Sequence, residues 1–167
     1  TGAGANFALD SAATTGNAIC ATVMMDPGVS VTSVTDSNGV ALTLNKTAET
    51  NQQANENIYF YSIQSVSGTP TGINVKTATD TTISVWMEEV SGMASASIVD
   101  VNPTKATGGY NTTPTMSLTT TTADVYIRAL MSYGGGRTIT PGAGYTANNT
   151  ASVSKHGVFN VNVGAAG

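Results

Sequence analysis

Hydrophobic and polar residues alternate along several short stretches of this chain, and a period of two is typical of a β-strand with one buried face. In the clearest stretch, residues 83–90, Ile83, Val85 and Met87 share one face with Glu89. Residues 124–133 alternate in the same way. We expect residues 83–90 to form the central strand of a sheet and to pair near residues 124–133.

Turn signals separate further strands of the same kind. Residues 26–28 read Asp-Pro-Gly and end a strand that is predicted for residues 18–25. Residues 73–76 are predicted to be an edge strand because their polar side chains alternate outward. The polar residues 46–57 are predicted to be a surface loop. The other predicted strands cover residues 6–10, 29–35, 40–44, 58–63, 96–101, 115–121 and 153–163.

Asp36, Asn38 and Gly39 lie in a short turn between two alternating stretches, residues 29–35 and 40–44. The Asn-Gly pair tolerates positive φ angles, so the pattern predicts a β-hairpin in which these three residues have a structural role. The same spacing begins a calcium-binding loop, but the distant bidentate glutamate of such a loop is missing at the required position. The favoured interpretation is a hairpin without metal, and a calcium loop is the alternative.

The number and spacing of these elements predict the fold class. About ten short strands, separated by turns, with no convincing helical pattern, indicate an all-β fold, namely an antiparallel β-sandwich of jelly-roll or immunoglobulin-like kind. A length of 167 residues predicts one domain over residues 1–167. We expect a flexible Gly/Ala lead-in at residues 1–5 and a Gly/Ala tail at residues 164–167. A single cysteine excludes the Cys…Trp…Cys pattern of antibody domains.

The charge of the chain argues against two classes of partner. Charged residues make up 10% of the sequence, well below the roughly 25% of typical soluble domains. The 6 Lys and Arg residues are scattered and the net charge is −4, so we expect no nucleic-acid binding. No apolar stretch approaches the length of a membrane-spanning helix, so we expect no membrane insertion.

Several segments resemble a Thr/Ser/Gly-rich β-sandwich module found in secreted bacterial and phage-associated surface proteins. In chain order, the segments that carry the resemblance are residues 31–39, 41–44, 57–61, 86–93, 119–122 and 124–129. Their motifs are structural and not catalytic. The resemblance therefore implies a non-catalytic module that is placed beside enzymes, adhesins or virion proteins.

Two features of this chain differ from that family. Val90 stands where the family usually has an aromatic residue. The family also tends to finish with one more apolar strand, whereas this chain stops at Gly167 soon after Val163. We expect the last strand to be missing, or to be replaced by the N-terminal stretch or by a strand of a neighbouring subunit.

Residues that serve in common catalytic sites are scarce. His156 is the only histidine, no nucleophile elbow is present, and Cys20 is predicted to be a small apolar core residue. Glu88 and Glu89 are adjacent on one strand, so they point to opposite faces and cannot act together on one sugar. We expect no enzymatic activity, no metal and no cofactor.

Glu89 is expected to face inward near the end of its strand. A buried carboxylate needs hydrogen-bond donors. We therefore predict that Glu89 is a structural residue that accepts hydrogen bonds from loop backbone N–H groups or from Arg128.

Aromatic residues on loops form the candidate binding surface. Tyr110, Tyr133 and Tyr145 lie on or beside glycine-rich loops, one of which contains Arg137, and Trp86 joins them if its face is outward. Aromatic rings supply large, rigid contact area, which suits the faces of sugars. The alternative is that Trp86 and most tyrosines pack in the core or cover sheet edges.

These observations favour a non-catalytic structural or adhesion module of an extracellular or virion surface protein, acting in assembly or surface attachment. The expected partners are other protein subunits, bound through strand edges or sheet faces. The second hypothesis is a carbohydrate-binding module that uses the loop tyrosines to hold a cell-surface glycan.

Overall fold

The structure, a computed structural model, describes residues 4–51, 56–93, 125–132, 146–147 and 156–163. The regular secondary structure within these residues is entirely β-strand, as predicted from the alternation. The chain divides into two compact units, Thr1–Ile98 and Val99–Gly167. The single domain over residues 1–167 stays a prediction.

The described strands of the first unit form two antiparallel sheets. A three-stranded sheet has the order β1-β6-β3, and a four-stranded sheet has the order β4-β5-β2-β7. Along the chain the strands are β1 (Gly4–Ala8), β2 (Ala18–Met25), β3 (Val31–Asp36), β4 (Thr43–Asn51), β5 (Glu56–Ile63), β6 (Gly72–Thr77) and β7 (Ile83–Val90).

The second unit contains a smaller antiparallel sheet. Its order is β8-β10-β9, with β8 at Val125–Ser132, β9 at Thr146–Ala147 and β10 at His156–Val163. β8 and β10 pair along their whole length. Strands are therefore found within both predicted stretches, residues 124–133 and 153–163, whereas those predicted for residues 96–101 and 115–121 lie outside the described residues.

The core of the first unit combines side chains from both of its sheets. Ile19 and Val23 of β2 are fully buried together with Ile73 and Val75 of β6. Burial of this apolar surface stabilises the two sheets against each other. Burial, with a smaller contribution from Tyr59, raises the pKa of the core residue Tyr61 to about 12, so its hydroxyl stays neutral.

β2, and not β7, is a central strand of the four-stranded sheet. β2 lies between β5 and β7, and all of its residues except Cys20 are buried. The predicted central position of residues 83–90 is wrong for the described part of the chain, since β7 is an outer strand that pairs with β2. β2 is an apolar run interrupted only by Thr22, and such a run is typical of a strand that is buried on both faces. The predicted neighbour, β8, pairs with β10.

The turn at residues 36–39 is present, but the predicted hairpin does not continue beyond it. Thr35 forms an isolated bridge with Ala41, and the Leu42 backbone N–H donates to the Val34 carbonyl at 2.9 Å. After this short contact β3 pairs with β6 and β4 pairs with β5. The predicted hairpin is therefore confirmed only beside the turn, because turn residues determine local geometry and not the sheet that the next strand joins.

Three further predictions are corrected by the pairing. The polar residues 46–57, predicted to be a loop, contain the end of β4 and the start of β5. Register shifts after Leu44 and after Lys46 interrupt the alternation that would have revealed β4. β6 is not an edge strand, because it lies between β1 and β3. β1 begins at Gly4, inside the predicted flexible lead-in.

Candidate functional site

The glycan-binding prediction rests on five residues, of which only Trp86 is described. Trp86 lies in β7 opposite Thr22 of β2 and is half-buried. Its neighbours Val85 and Met87 pack against the core, so alternation places Trp86 on the other face of the sheet. The remaining four residues lie outside the described residues: Tyr110, Tyr133, Arg137 and Tyr145.

Glu89, at the end of β7, connects this strand to the segment between β1 and β2. Its Oε1 accepts a hydrogen bond of 2.8 Å from the Thr14 backbone N–H and one of 2.5 Å from Asn17 Nδ2. The backbone bond, followed by the side-chain bond, holds the pKa of Glu89 below its ordinary value of 4.5. A loop N–H group is one of the two donors that the sequence led us to expect.

The segment that Glu89 holds is also attached to the loop before β6. Val66 exchanges two backbone hydrogen bonds with it, donating to Asn17 at 2.8 Å and accepting from Gly16 at 3.0 Å. Ala13 is buried and donates to the Pro70 carbonyl at 2.8 Å. Glu89 therefore belongs to a set of contacts that fixes loops to strands, which is a structural role.

Asp36 has a comparable role at the turn where the chain leaves the three-stranded sheet. The residue is fully buried, and its Oδ1 accepts from the backbone N–H groups of Asn38 at 2.9 Å and Val40 at 2.8 Å. Gly39 adopts the positive φ that the Asn-Gly pair predicted. Asn38 Nδ2 donates to the Ser67 carbonyl at 3.0 Å, so the turn is bound to the loop before β6.

The described residues give no geometry for a metal centre. Within them, no group of three or more His, Cys, Asp or Glu side chains is placed to hold a metal ion. The second carboxylate oxygen of Asp36 is buried without a hydrogen-bond partner. One carboxylate with a single unsatisfied oxygen does not supply the six or more oxygen ligands that calcium takes.

An open depression of about 290 Å³ lies between the end of β1 and β7. Glu89 is already engaged by Thr14 and Asn17, and its neighbour Glu88 belongs to the opposite face of the strand. Both glutamates line the depression, and Glu89 is held there by its contacts with Thr14 and Asn17. The lining residues are Ala8, Leu9, Asp10, Ser11, Met87, Glu88 and Glu89.

β1 is an outer strand of the three-stranded sheet, and the edge that it leaves unpaired among the described residues is the candidate functional site. Among the described residues β1 pairs only with β6. Phe7 packs against the core, whereas Gly4, Asn6 and Ala8 are exposed. An outer strand presents unpaired backbone N–H and C=O groups, to which another strand can be added.

Gly72 allows β1 to lie very close to β6. A Cβ atom at this position would lie 2.0 Å from the Phe7 carbonyl oxygen and 2.9 Å from the Ala8 Cα. No side chain fits there, so glycine is required for the contact. Sequence reasoning missed this contact, although a glycine directly before the predicted strand at residues 73–76 was the available signal.

No helix within the described residues is long and apolar enough to cross a membrane. Comparison of the chain with protein-family models, with curated proteins and with solved structures gives no match. The resemblance to surface modules of bacteria and phages therefore stays a prediction.

Proposed function

We propose that this chain is a non-catalytic structural module that acts in assembly or attachment at the surface of a cell or virion. The observation that carries the proposal is the edge of β1, an exposed and uncharged outer strand that pairs with β6 alone among the described residues. Strand addition at such an edge is a common way for one chain to bind another.

The finer architecture that we propose is a β-sandwich of jelly-roll or immunoglobulin-like kind. Two features support it: the core contains side chains from both sheets of the first unit, and the chain crosses between these sheets after Asp36. In such a fold the two sheets pack face to face, and strand edges are the natural places for intermolecular pairing.

The extracellular or virion location comes from the resemblance to surface modules, whereas composition supports the structural role. A chain with 10% charged residues and many Thr, Ser and Asn residues suits strand faces that are solvated without strong electrostatic repulsion between neighbouring copies. The two carboxylates that the sequence singles out, Glu89 and Asp36, both hold loops in place. This use of charged residues supports a scaffold role.

A photo-crosslinking experiment in the native host tests the proposal. A benzophenone amino acid replaces Asn6 on β1 and, as a matched control, the exposed Asp80 between β6 and β7. We expect irradiation to link the probe at position 6 to a protein subunit. The linked residues of that subunit should alternate along one extended segment, because alternate residues of a strand share a face. Equal yields at positions 6 and 80, or linked residues without that alternation, would contradict the proposal.

A further inference from the structure

The backbone of β1 has one paired side and one outward side. The Leu9 N–H donates to the Thr71 carbonyl at 2.8 Å, just beyond the pairs Ala8–Gly72 and Phe7–Ile73. Hydrogen-bonded pairs alternate along an antiparallel ladder, so Phe7 and Ala5 also bond toward β6. The N–H and C=O groups of Gly4, Asn6 and Ala8 therefore point outward.

The other outer strands of the first unit have features that hinder strand addition, and β1 has none of them. β3 has a register shift after Val31 and is partly covered by the bridge to Ala41. β4 has two register shifts, and β7 contains two glutamates. Bulges and charges are the usual protection of an edge. β1 has a regular register and contains neither a charged residue nor a proline.

The outward groups of β1 are complementary to themselves. If a second copy is placed antiparallel about a two-fold axis at Asn6, each Asn6 faces the other, and Gly4 faces Ala8. All three positions have outward N–H and C=O groups, so each forms a hydrogen-bonded pair, with about six backbone hydrogen bonds in total. Ala5 then lies beside Phe7 of the other copy, and neither β1 contributes a charged residue.

We propose that the edge of β1 binds a second copy of this chain in this two-fold antiparallel register. The two three-stranded sheets then form one continuous sheet of order β3-β6-β1-β1-β6-β3. This inference rests on the proposed function and names its partner. The two-fold arrangement uses the outward edge of β1 in both copies, so the product is a closed dimer and not a filament.

Sedimentation velocity of the whole chain measures the dimer. The interface is small, so we expect a dissociation constant on the order of 100 μM. Protein concentrations from about 10 μM to about 1 mM extend to both sides of this value. Asn6→Pro removes the outward N–H and leaves the bonds to β6, so it should weaken dimerisation by at least about tenfold with little change in the thermal midpoint. Asn6→Ala is the matched control, because it keeps the N–H and should dimerise like the wild type.

A disulfide tests the register. In a Cys20→Ser background, Asn6→Cys places two thiols across a hydrogen-bonded pair, whose Cα atoms lie about 5.5 Å apart and within disulfide reach. Ala5→Cys lies opposite Phe7 of the other copy and should crosslink far more slowly under the same oxidant.

Three outcomes overturn the inference: a monomer at every concentration, dimerisation that survives in folded Asn6→Pro, or equal crosslinking at positions 5 and 6. If the purified chain is monomeric but position 6 crosslinks to a different subunit in the native host, the proposed function stands and the second copy is the wrong partner.

Discussion

Glu89 shows how much can be inferred about a single side chain from its position in a strand. Alternation assigned it to the apolar face together with Met87, and its position at the strand end implied loop donors. The structure supplies one such donor, the Thr14 N–H, and adds the side-chain amide of Asn17, which was not predicted. The sequence did not indicate which loop provides them, because that depends on the path of the chain between β1 and β2.

The depressed pKa of Glu89 predicts a pH dependence of stability. The folded-state pKa lies below 4.5, so the carboxylate stabilises the fold above the unfolded-state pKa, and this contribution is lost as pH falls through the folded-state value. We expect Glu89→Gln to lower the urea midpoint at pH 7 and to lose the part of the acid dependence that is due to Glu89.

Urea unfolding curves of the two proteins between neutral and acid pH measure this effect. The difference in midpoint should be constant at neutral pH and should shrink on acidification. Asp80→Asn, at an exposed turn, controls for the loss of one negative charge. A difference that stays the same down to the acid limit would show that the hydrogen bonds to Glu89 do not lower its pKa in the folded protein.

At the scale of strands, local patterns predicted where the strands lie in the sequence better than they predicted which strands pair. β2 and β7 have the bounds that alternation and turn signals indicated. The turn at Asp36 was also recognised, yet its flanking strands enter different sheets. Pairing depends on residues far apart in the chain, and no periodicity within one segment contains that information.

The close contact between β1 and β6 predicts a large effect of a single methyl group. Gly72→Ala would place a carbon against the backbone of Phe7 and Ala8, so β1 must move away from β6. We expect destabilisation of about 1–3 kcal/mol, as for other overpacked sites. Urea unfolding gives the value.

Gly4→Ala is the matched control for this substitution. It lies in the same pair of strands, and its added carbon would be 3.1 Å from the Val75 carbonyl oxygen, so a small shift accommodates it. If Gly72→Ala unfolded at the same urea concentration as Gly4→Ala, the inferred close approach of the two backbones would be wrong.

For the whole molecule, the sequence predicted the all-β class but not the edge of β1 that has no partner among the described strands. The edge at β1 exists because Gly72 admits the N-terminal strand beside β6, and nothing near residues 4–8 indicates that partner. The sequence did suggest that the N-terminal stretch occupies a strand position. The loop tyrosines, by contrast, stay predictions, since Tyr110, Tyr133 and Tyr145 lie outside the described residues.

The position of β2 between β5 and β7 has a consequence for the order in which the protein forms. β2 is made before both of its partners, which follow much later in the chain, with Ile19 pairing to Ile63 and Ala18 to Val90. Contacts between distant residues require large loops to close, which slows folding. Until then, the apolar residues of β2 are exposed to other nascent chains.

Stopped-flow refolding from urea, observed through Trp86 fluorescence, measures this delay. Trp86 faces Thr22 across the β2–β7 pair, so its signal reports when that pair closes. We expect refolding in the range of milliseconds to seconds, as for other all-β proteins with non-local pairing, and a yield that falls with protein concentration. Microsecond refolding would mean that β2 and β7 associate before the intervening chain is ordered.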